Sequence, residues 1–251
     1  MSVALQGAIS QGILWGIMVL GVFITFRLLD IPDMTVDGSF ALGGSVVAVL
    51  IVNAHVHPAV AILAGMVAGG LAGAVTGVLT TVFEIPAILA GILTQISLWS
   101  INLRIMGKSN TPLLANDTIF SDVSKLTGLP QSTVSALMGI IIAIVIVAAL
   151  YWFFGTEIGS ALRATGNNED MIRALGVNTN RTKMIALVLS NALVGLSGGL
   201  ICQSQKYADI GMGTGAIVIG LAAIVIGEVL GRLLPGGLTK FGARLAAAVV
   251  G

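Results

Sequence analysis

Long runs of apolar residues without a charged side chain follow one another along this chain. The first covers residues 2–26, and comparable runs recur up to residue 230. Only 9% of the 251 residues are charged and 56% are hydrophobic, whereas soluble domains carry about 25% charged residues. A soluble core cannot bury so much apolar surface, and about 20 consecutive apolar residues suffice for a helix that crosses a bilayer. The pattern therefore predicts an all-α, polytopic integral membrane helical bundle.

The predicted bundle has seven or eight apolar segments in one transmembrane domain, residues 1–251. Six segments are predicted to be spanning helices: residues 6–29, 38–53, 58–83, 86–103, 133–154 and 184–205. A seventh, residues 216–230, has about 15 residues and is compatible with a short span or a re-entrant helix. An eighth begins at residue 241 and is too short to cross about 30 Å of hydrocarbon. Residues 104–132 are predicted to be a long polar loop, and residues 206–215 a glycine-rich turn.

Four glycines are spaced four residues apart in the third apolar segment. They are Gly65, Gly69, Gly73 and Gly77, which form three overlapping GxxxG pairs. Because glycine has no side chain, this spacing produces a flat helix face that another helix can approach closely. We therefore predict that these four positions are helix-packing residues.

A polar segment separates the first two apolar runs. Four polar side chains lie there within seven residues: Asp33, Thr35, Asp37 and Ser39. One hypothesis is an unwound or re-entrant stretch that lines a translocation path, because irregular backbone at membrane depth must face protein or water. The other is an ordinary loop in which Thr35 or Asp37 caps the following helix. Just before it, Arg27 and Asp30 are spaced for a local ion pair.

The fourth apolar segment carries two amide side chains, Gln95 and Asn102. Polar side chains in membrane helices face the bundle interior or a cavity. Two interpretations are equally good: these amides line a translocation path, or they bridge neighbouring helices by hydrogen bonds. With the polar segment, they are the predicted path residues.

The most highly charged stretch, residues 155–183, lies between two apolar runs and cannot sit in hydrocarbon. Local signals predict two short helices in it. Thr156 can cap the first, which is predicted to end at Gly166. Asn168 can cap the second, which is predicted to end at Gly176. The stretch is thus more regular than a slack loop.

The second short helix has the charge and apolar pattern of an amphipathic element. Glu169 and Asp170 lie in its first turn, where carboxylates suit the positive end of the helix dipole. Met171, Ile172 and Leu175 are predicted to share one side. Two hypotheses fit these observations: an element that docks onto a partner, and a solvated connector that needs none.

This charged stretch resembles the cytoplasmic coupling loop of ABC-transporter permeases. The similar positions are Thr156, Gly159, Leu162, Arg163, Ala164, Gly166, Asn167, Ala174 and Gly176. The nearest resemblance is to the branched-chain amino acid and ribose permease families. The polar segment, followed by residues 40–44, is similar to that of a bacterial subgroup encoded beside a binding lipoprotein and linked to amino-acid uptake. Residues 171–173 depart from the pattern, because those families usually have small residues there.

The resemblance implies a membrane-spanning subunit of an ATP-driven ABC importer in the cytoplasmic membrane of a bacterium. Its expected partners are an ABC ATPase, an extracytoplasmic substrate-binding protein and a second permease subunit, in a homodimer or a pair with a similar chain. The expected cargo is a small polar solute, an amino acid or related compound, moved by alternating access without a cofactor. Since related permeases continue further, the chain is expected to be truncated at its C-terminus. The resemblance implies that the ATPase binds the coupling loop, whose expected contact residues are Thr156, Gly159, Leu162, Arg163, Gly166, Asn167, Glu169, Asp170, Met171, Ile172, Arg173, Leu175 and Gly176.

Other classes of protein have less support in the sequence. An ion- or proton-coupled carrier could use Asp33 and Asp37 as coupling groups. No Ser/His/Asp or Cys/His arrangement is apparent, so an enzyme is not expected. His55 and His57 lack further ligands for a metal, and a net charge of +1 argues against a nucleic-acid partner. The distribution of Lys and Arg favours a cytoplasmic loop at residues 155–183 if all seven segments span.

Overall fold

The computed structural model describes residues 3–114, 116–128 and 130–233. Ten α-helices form within these residues: α1 (Val3–Val22), α2 (Val36–Val52), α3 (Pro58–Thr81), α4 (Ala87–Met106), α5 (Ile119–Thr127), α6 (Gln131–Gly155), α7 (Glu157–Asn167), α8 (Glu169–Ala174), α9 (Thr179–Gln205) and α10 (Ala216–Leu233). A π-helical turn, Phe23–Leu28, continues α1. Two short strands, β1 (Asn110–Pro112) and β2 (Tyr207–Asp209), and a 3-10 turn, Ile210–Gly213, complete the described elements.

Six helical stretches are long and apolar enough to cross a membrane. They are Gly7–Leu28, Pro58–Thr81, Ala87–Met106, Gln131–Gly155, Thr179–Gln205 and Ile210–Val229. Helix α2 is apolar but shorter, with 17 residues. The predicted polytopic helical membrane bundle is therefore confirmed. The eighth apolar segment, predicted from residue 241, lies outside the described residues.

Helix α9 forms the centre of the bundle and packs against α1, α2 and α3. Two of its serines fasten it to α1: Ser190 Oγ donates to the carbonyl oxygen of Gly21, and Ser197 Oγ to that of Leu14, both at 2.7 Å. Gly195 lies so close to α3 that an added Cβ would be 2.6 Å from the carbonyl oxygen of Gly65. The centre is thus held by backbone contacts as much as by apolar side chains.

The four regularly spaced glycines of α3 lie on its buried face. At Gly69 and Gly73, an added Cβ would collide with backbone carbonyl oxygens of α9, and at Gly77 with the Met184 side chain of the same helix. At Gly65, it would lie 3.0 Å from the carbonyl oxygen of Gly43 in α2. This glycine face is a groove within the chain, and α9 and α2 occupy it.

Helices α4 and α6 lie at the periphery of the bundle. Both expose rows of large apolar side chains, which include Ile92, Ile96 and Trp99 on α4 and Ile141, Ile144 and Val145 on α6. Such surfaces suit lipid or another membrane protein. The described chain therefore has a tightly packed α1, α2, α3 and α9 unit with two more exposed flanks.

Part of the predicted polar loop at residues 104–132 is folded. Strand β1 pairs with β2 in antiparallel fashion, with Thr111 opposite Ala208. Helix α5 follows, and its N-cap residue Thr118 forms a capping box with Ser121. The prediction missed these elements because three-residue strands whose partners are about 100 residues apart leave no local periodic signal. We call this end of the bundle the strand end, and the end at α7 and α8 the loop end.

Arg27 pairs with Glu228 of α10, at 2.6 Å between Arg27 Nε and Glu228 Oε1. The predicted pair with Asp30 is therefore wrong. Asp30 has a φ of 55° in the left-handed region, so the helix has ended before it and the helical spacing no longer applies. The observed pair instead joins the π-helical turn to α10.

Candidate functional site

The charged loop consists of two capped helices. Thr156 Oγ1 accepts the backbone N–H of Gly159 at 3.3 Å, and Asn168 Oδ1 accepts that of Met171 at 3.0 Å. These side chains satisfy backbone donors that a helix start leaves without partners. Gly176 has a φ of +87°, as the predicted chain reversal after the second helix requires. Asn178 then caps α9 by accepting from Arg181 N at 3.1 Å.

Gly166 does not end the first short helix. Helix α7 continues through it to Asn167, and Gly166 has no positive φ. An added Cβ would instead collide with the carbonyl oxygen of Leu28 at the end of the π-helical turn. The prediction was wrong because a glycine in a helical pattern marks a close backbone approach as well as a stop.

Helix α7 is seated on the ends of three membrane helices. Gly166 meets the end of the π-helical turn that continues α1, and Gly159 meets α6, where an added Cβ would collide with the Phe153 carbonyl oxygen. The Thr165 and Thr182 hydroxyls, 3.1 Å apart, join α7 to α9. Leu162 is fully buried in the main apolar core. A displacement of α7 would therefore be transmitted to the bundle through these direct contacts.

Helix α8 does not present Met171, Ile172 and Leu175 on one side. Ile172 is buried against the bundle, whereas Met171 is 49% and Leu175 71% exposed. Ile158 of α7 is also exposed. The helix has six residues, so spacing alone did not decide which of its apolar residues would face inward. The outward apolar residues of the loop are thus Ile158, Met171 and Leu175.

Glu169 organises the charges of the loop. Its two carboxylate oxygens accept from Lys183 Nζ at 2.7 Å and from Arg173 Nη2 at 2.8 Å. The bond from Lys183, with its positive charge and that of Arg173, lowers the pKa of Glu169 despite partial burial. Arg173 also donates to Thr179 Oγ1. Arg173 is therefore tied into the loop although its side chain is exposed, and Arg163, Asn167 and Asp170 are exposed as well.

The polar segment before α2 is buried and fully engaged. Asp33 accepts the backbone N–H of Thr35 at 2.9 Å and the Asn191 side-chain amide at 2.7 Å. Ser39 Oγ donates to the Asn191 oxygen at 2.7 Å. Asn191 lies midway along α9, so this bonding secures the irregular backbone against the central helix. Asn191 was not among the predicted residues, although a single amide within an apolar run is a usable signal.

A chain of hydroxyl groups extends from the same segment. Thr35 Oγ1 lies 2.7 Å from Thr76 Oγ1, which lies 3.0 Å from Thr94 Oγ1. All three threonines are buried, and they join α2, α3 and α4. Thr35 occupies the N-cap position of α2 but makes no side-chain capping bond. Within the loop hypothesis, the alternative in which Thr35 caps this helix is therefore wrong, because its hydroxyl bonds to Thr76 of α3 instead.

Asp37 caps a different helix from the one predicted. Its carboxylate oxygens accept the backbone N–H groups of Gly215 and Ile217, each at 3.0 Å. These donors lie at the start of α10, where the first N–H groups have no partners within their own helix. Asp37 itself lies in the first turn of α2. One carboxylate therefore joins the starts of two helices.

The structure brings three of the predicted path residues into one small cleft. Asp37, Gln95 and Asn102 line a cavity of about 30 Å³ between α2, α4 and the 3-10 turn that precedes α10. Trp99 and Thr214 line it as well. The Asn102 amide donates to the Gly38 carbonyl oxygen at 3.4 Å. Asp33, Thr35 and Ser39 belong instead to the buried hydrogen-bond network around Asn191.

Within the residues that the structure describes, no group of three or more His, Cys, Asp or Glu side chains could hold a metal ion. A helical membrane bundle with buried polar side chains and a capped loop on its helix ends is the architecture of a membrane permease. The chain belongs to the family described as the branched-chain amino acid transport system / permease component, which matches residues 4–251.

Several relatives carry names of transport subunits. The tyrosine transport system permease protein of Clostridioides difficile (strain R20291) is 41% identical over 221 residues, which cover 88% of this chain and 72% of that protein. The ribose import permease protein RbsC of Escherichia coli (strain K12) is 30% identical over 87% of this chain and 66% of its own length. The probable branched-chain amino acid transport permease protein LivH of Methanocaldococcus jannaschii is 24% identical over 92% and 76%. No solved structure matches the chain.

The resemblance to ABC permeases is thereby confirmed. The chain is a multi-pass transport subunit of the bacterial cytoplasmic membrane, an ABC importer permease for a small polar solute, and not a catalytic enzyme. An ABC ATPase and a substrate-binding protein are its general partners.

Proposed function

We propose that this chain imports an amino acid or a related compound as one of two identical permease subunits in a complex with two ATPases. The ATPases bind at the loop end, which is cytoplasmic, and the substrate-binding protein docks at the strand end. The support for the solute class is the 41% identity to a tyrosine transport permease, against 30% to the ribose permease.

The observation that carries the ATPase assignment is the two-sided character of the loop. On its inner side, Gly159 and Gly166 hold α7 in backbone contact with α6 and with the π-helical turn. On its outer side, Ile158, Met171 and Leu175 are exposed apolar residues. An element rigidly fixed to the bundle and apolar on its free surface is suited to transmit the movement of a bound partner.

The contacts also supply a route for that movement. Helix α7 meets the end of the π-helical turn at Leu28. The irregular segment that follows leads within a few residues to Asp33, which is bonded to Asn191 in the central helix. π-Helical turns are common at functional sites, where helix geometry changes. We infer that ATPase closure moves α7 and, through this turn, rearranges the packing around Asp33 during alternating access.

Leu175→Asp tests the docking surface. A charge at this exposed position leaves the bundle packing intact and places a charged group in an apolar interface, where it is costly to bury. We expect normal membrane insertion, loss of the co-purifying ATPase and loss of ATP hydrolysis stimulated by the binding protein. Native mass measurement of the wild-type complex should give two permease and two ATPase chains.

The matched control is Leu126→Asp, because Leu126 is an exposed leucine, 86% accessible, on α5 at the other end of the bundle. This variant should retain the full ATPase complement. Retention of ATPase and of stimulation by Leu175→Asp would mean that the loop is a solvated connector.

A further inference from the structure

The small cleft between α2, α4 and the segment just before α10 contains one buried hydrogen-bond acceptor, Asn102 Oδ1, without a matching donor among the described residues. We propose that it binds a protonated primary amine, the ammonium group of the imported solute. This inference rests on the proposed function and names the solute chemistry that the permease itself recognises.

The first observation is an acceptor without a partner. Asn102 is 1% exposed, and its Oδ1 atom accepts no hydrogen bond from any residue that the structure describes. The orientation of the amide is set by its neighbour, because Nδ2 donates to the Gly38 carbonyl oxygen. A flipped amide would bring two acceptor oxygens together, so this bond favours the orientation in which Oδ1 is free. A buried polar atom without a partner costs free energy, which a bound donor would recover.

The second observation is the charge of the cleft. Asp37 contributes a carboxylate, and no Lys, Arg or His is among the residues that line the cavity. Each Asp37 oxygen already accepts one backbone N–H group at the start of α10. These N–H groups would otherwise attract an anion, and the bonds to Asp37 leave them unavailable for one. A carboxylate has about four lone-pair sites, so both oxygens can accept further bonds.

Gln95, Trp99 and Thr214 also line the cleft, together with Gly38 and the apolar residues Ala41 and Ile210. The amide and hydroxyl oxygens of Gln95 and Thr214 are additional acceptors, and an ammonium group has three N–H donors. Tryptophan is the side chain whose ring attracts cations most strongly. The set of a carboxylate, neutral oxygens and an indole ring therefore fits a small organic cation better than a neutral or anionic group.

The size of the cavity limits what it can hold. A volume of about 30 Å³ accommodates a group of the size of a water molecule or an ammonium group, since one water needs about 10–15 Å³ of cavity. A whole amino acid does not fit. Trp99 is 52% exposed, so the remainder of the solute would lie along the outer surface of α4.

The test uses the purified permease–ATPase complex without binding protein. The variant Asn102→Leu replaces the free acceptor by an apolar side chain of similar size, and Asn102→Asp keeps acceptor oxygens at the same place. The matched control is Thr111→Val, because Thr111 Oγ1 is also a buried atom without a partner in the described structure, but lies in β1 away from the cleft. Thr111→Val should fold as stably as the wild type or better, because it removes an unsatisfied polar atom. Asn102→Leu should fold about as stably as the wild type, because it removes an unsatisfied oxygen but also loses the long 3.4 Å bond to the Gly38 carbonyl oxygen.

Binding is measured as the concentration-dependent rise of the thermal midpoint. The probes are L-tyrosine, methylammonium chloride, 3-(4-hydroxyphenyl)propanoate, which lacks the amine, and sodium chloride. We expect the two amines to protect the wild type, Thr111→Val and Asn102→Asp. Asn102→Leu should weaken their binding by about tenfold or more, because it removes a hydrogen bond to a charged group.

Four results would overturn the proposal. The first two are equal protection by the compound without the amine, and equal amine binding by Asn102→Leu. The third is absence of amine binding by the wild type. The fourth is protection by sodium chloride at the concentrations used for methylammonium, which would assign the cleft to an inorganic cation. ATP-dependent uptake of amino acids, L-tyrosine among them, into proteoliposomes is measured separately. Amine binding without such uptake would refute the proposed function and leave the ammonium site standing.

Discussion

Substitution of alanine for Gly73 measures how closely α3 and α9 approach. An added Cβ would lie 2.8 Å from the Cβ of Asn191 and closer still to the carbonyl oxygen of Leu187, both in α9. Ordinary contact begins at 3.4 Å. The added Cβ and the Cβ of Asn191 are 2.8 Å apart, so the two helices must separate by at least 0.6 Å to restore it. A gap of that size forfeits about a quarter of the dispersion energy of each facing atom pair.

Gly70→Ala is the matched control on the same helix. Its added Cβ would lie 3.5 Å from the Cβ of Ala192, which is an ordinary contact. Both variants gain the same helix propensity, about 0.8–1 kcal/mol relative to glycine. Their difference in stability therefore isolates the close contact, for which overpacking predicts about 1–3 kcal/mol.

The assay is the thermal unfolding midpoint of the purified chain in detergent, followed by transport in proteoliposomes. For a chain of this size, about 1–3 kcal/mol corresponds to a midpoint about 2–12 °C lower for Gly73→Ala than for Gly70→Ala. Because the added group pushes on Asn191, which holds Asp33, transport should fall as well. Equal midpoints for the two variants would refute the close packing of α3 on α9.

Two further predictions concern single carboxylates. Asp37→Asn leaves one good acceptor for two backbone N–H groups, so it should lower the free energy of unfolding by about 1–3 kcal/mol. An unchanged thermal midpoint would contradict the role of Asp37 as the cap of α10. Glu169→Gln removes the partner of Arg173 and Lys183, and the variant should unfold at lower temperature than the wild type at about pH 7. The pKa of Glu169 is lowered in the folded chain. The stabilisation is therefore fully present at pH values above the ordinary pKa of 4.5, and it is lost as the pH falls through the lowered pKa. The midpoints of the wild type and Glu169→Gln should therefore converge in strongly acid buffer, and a constant difference would contradict the assignment.

The class of fold could be predicted from the sequence because a helix that crosses the hydrocarbon core needs about 20 consecutive apolar residues. Each predicted apolar segment within the described residues forms a helix, with ends a few residues from those expected. Caps were also readable where the signal is local, as at Thr156 and Asn168. These features depend on neighbours within four residues, so the sequence contains all the information that decides them.

The bonding of the polar residues was not readable in the same way. Asp37 reaches donors 178 and 180 residues further along the chain, and no local pattern indicates such a partner. Gly166 has the sequence signature of a helix stop but serves a contact with Leu28. For Gln95 and Asn102, the sequence left two interpretations open, path lining and helix bridging, and only the packing of α4 on α2 shows that they share a cleft with Asp37.

The contact between α3 and α9 also has a consequence for the order of assembly in the cell. The facing residues Gly69 and Asn191 are about 120 residues apart, and synthesis at about 5–20 residues per second separates them by roughly 6–24 s. Throughout that interval, the glycine groove of α3 lacks the helix that finally occupies it. In the newly made chain, α1 to α4 must therefore stay loosely packed in the membrane until α9 has been made and packs into the centre. Errors of biogenesis should accumulate at this late step, after insertion, and chains caught in it would present the open groove to lipid or to membrane proteases.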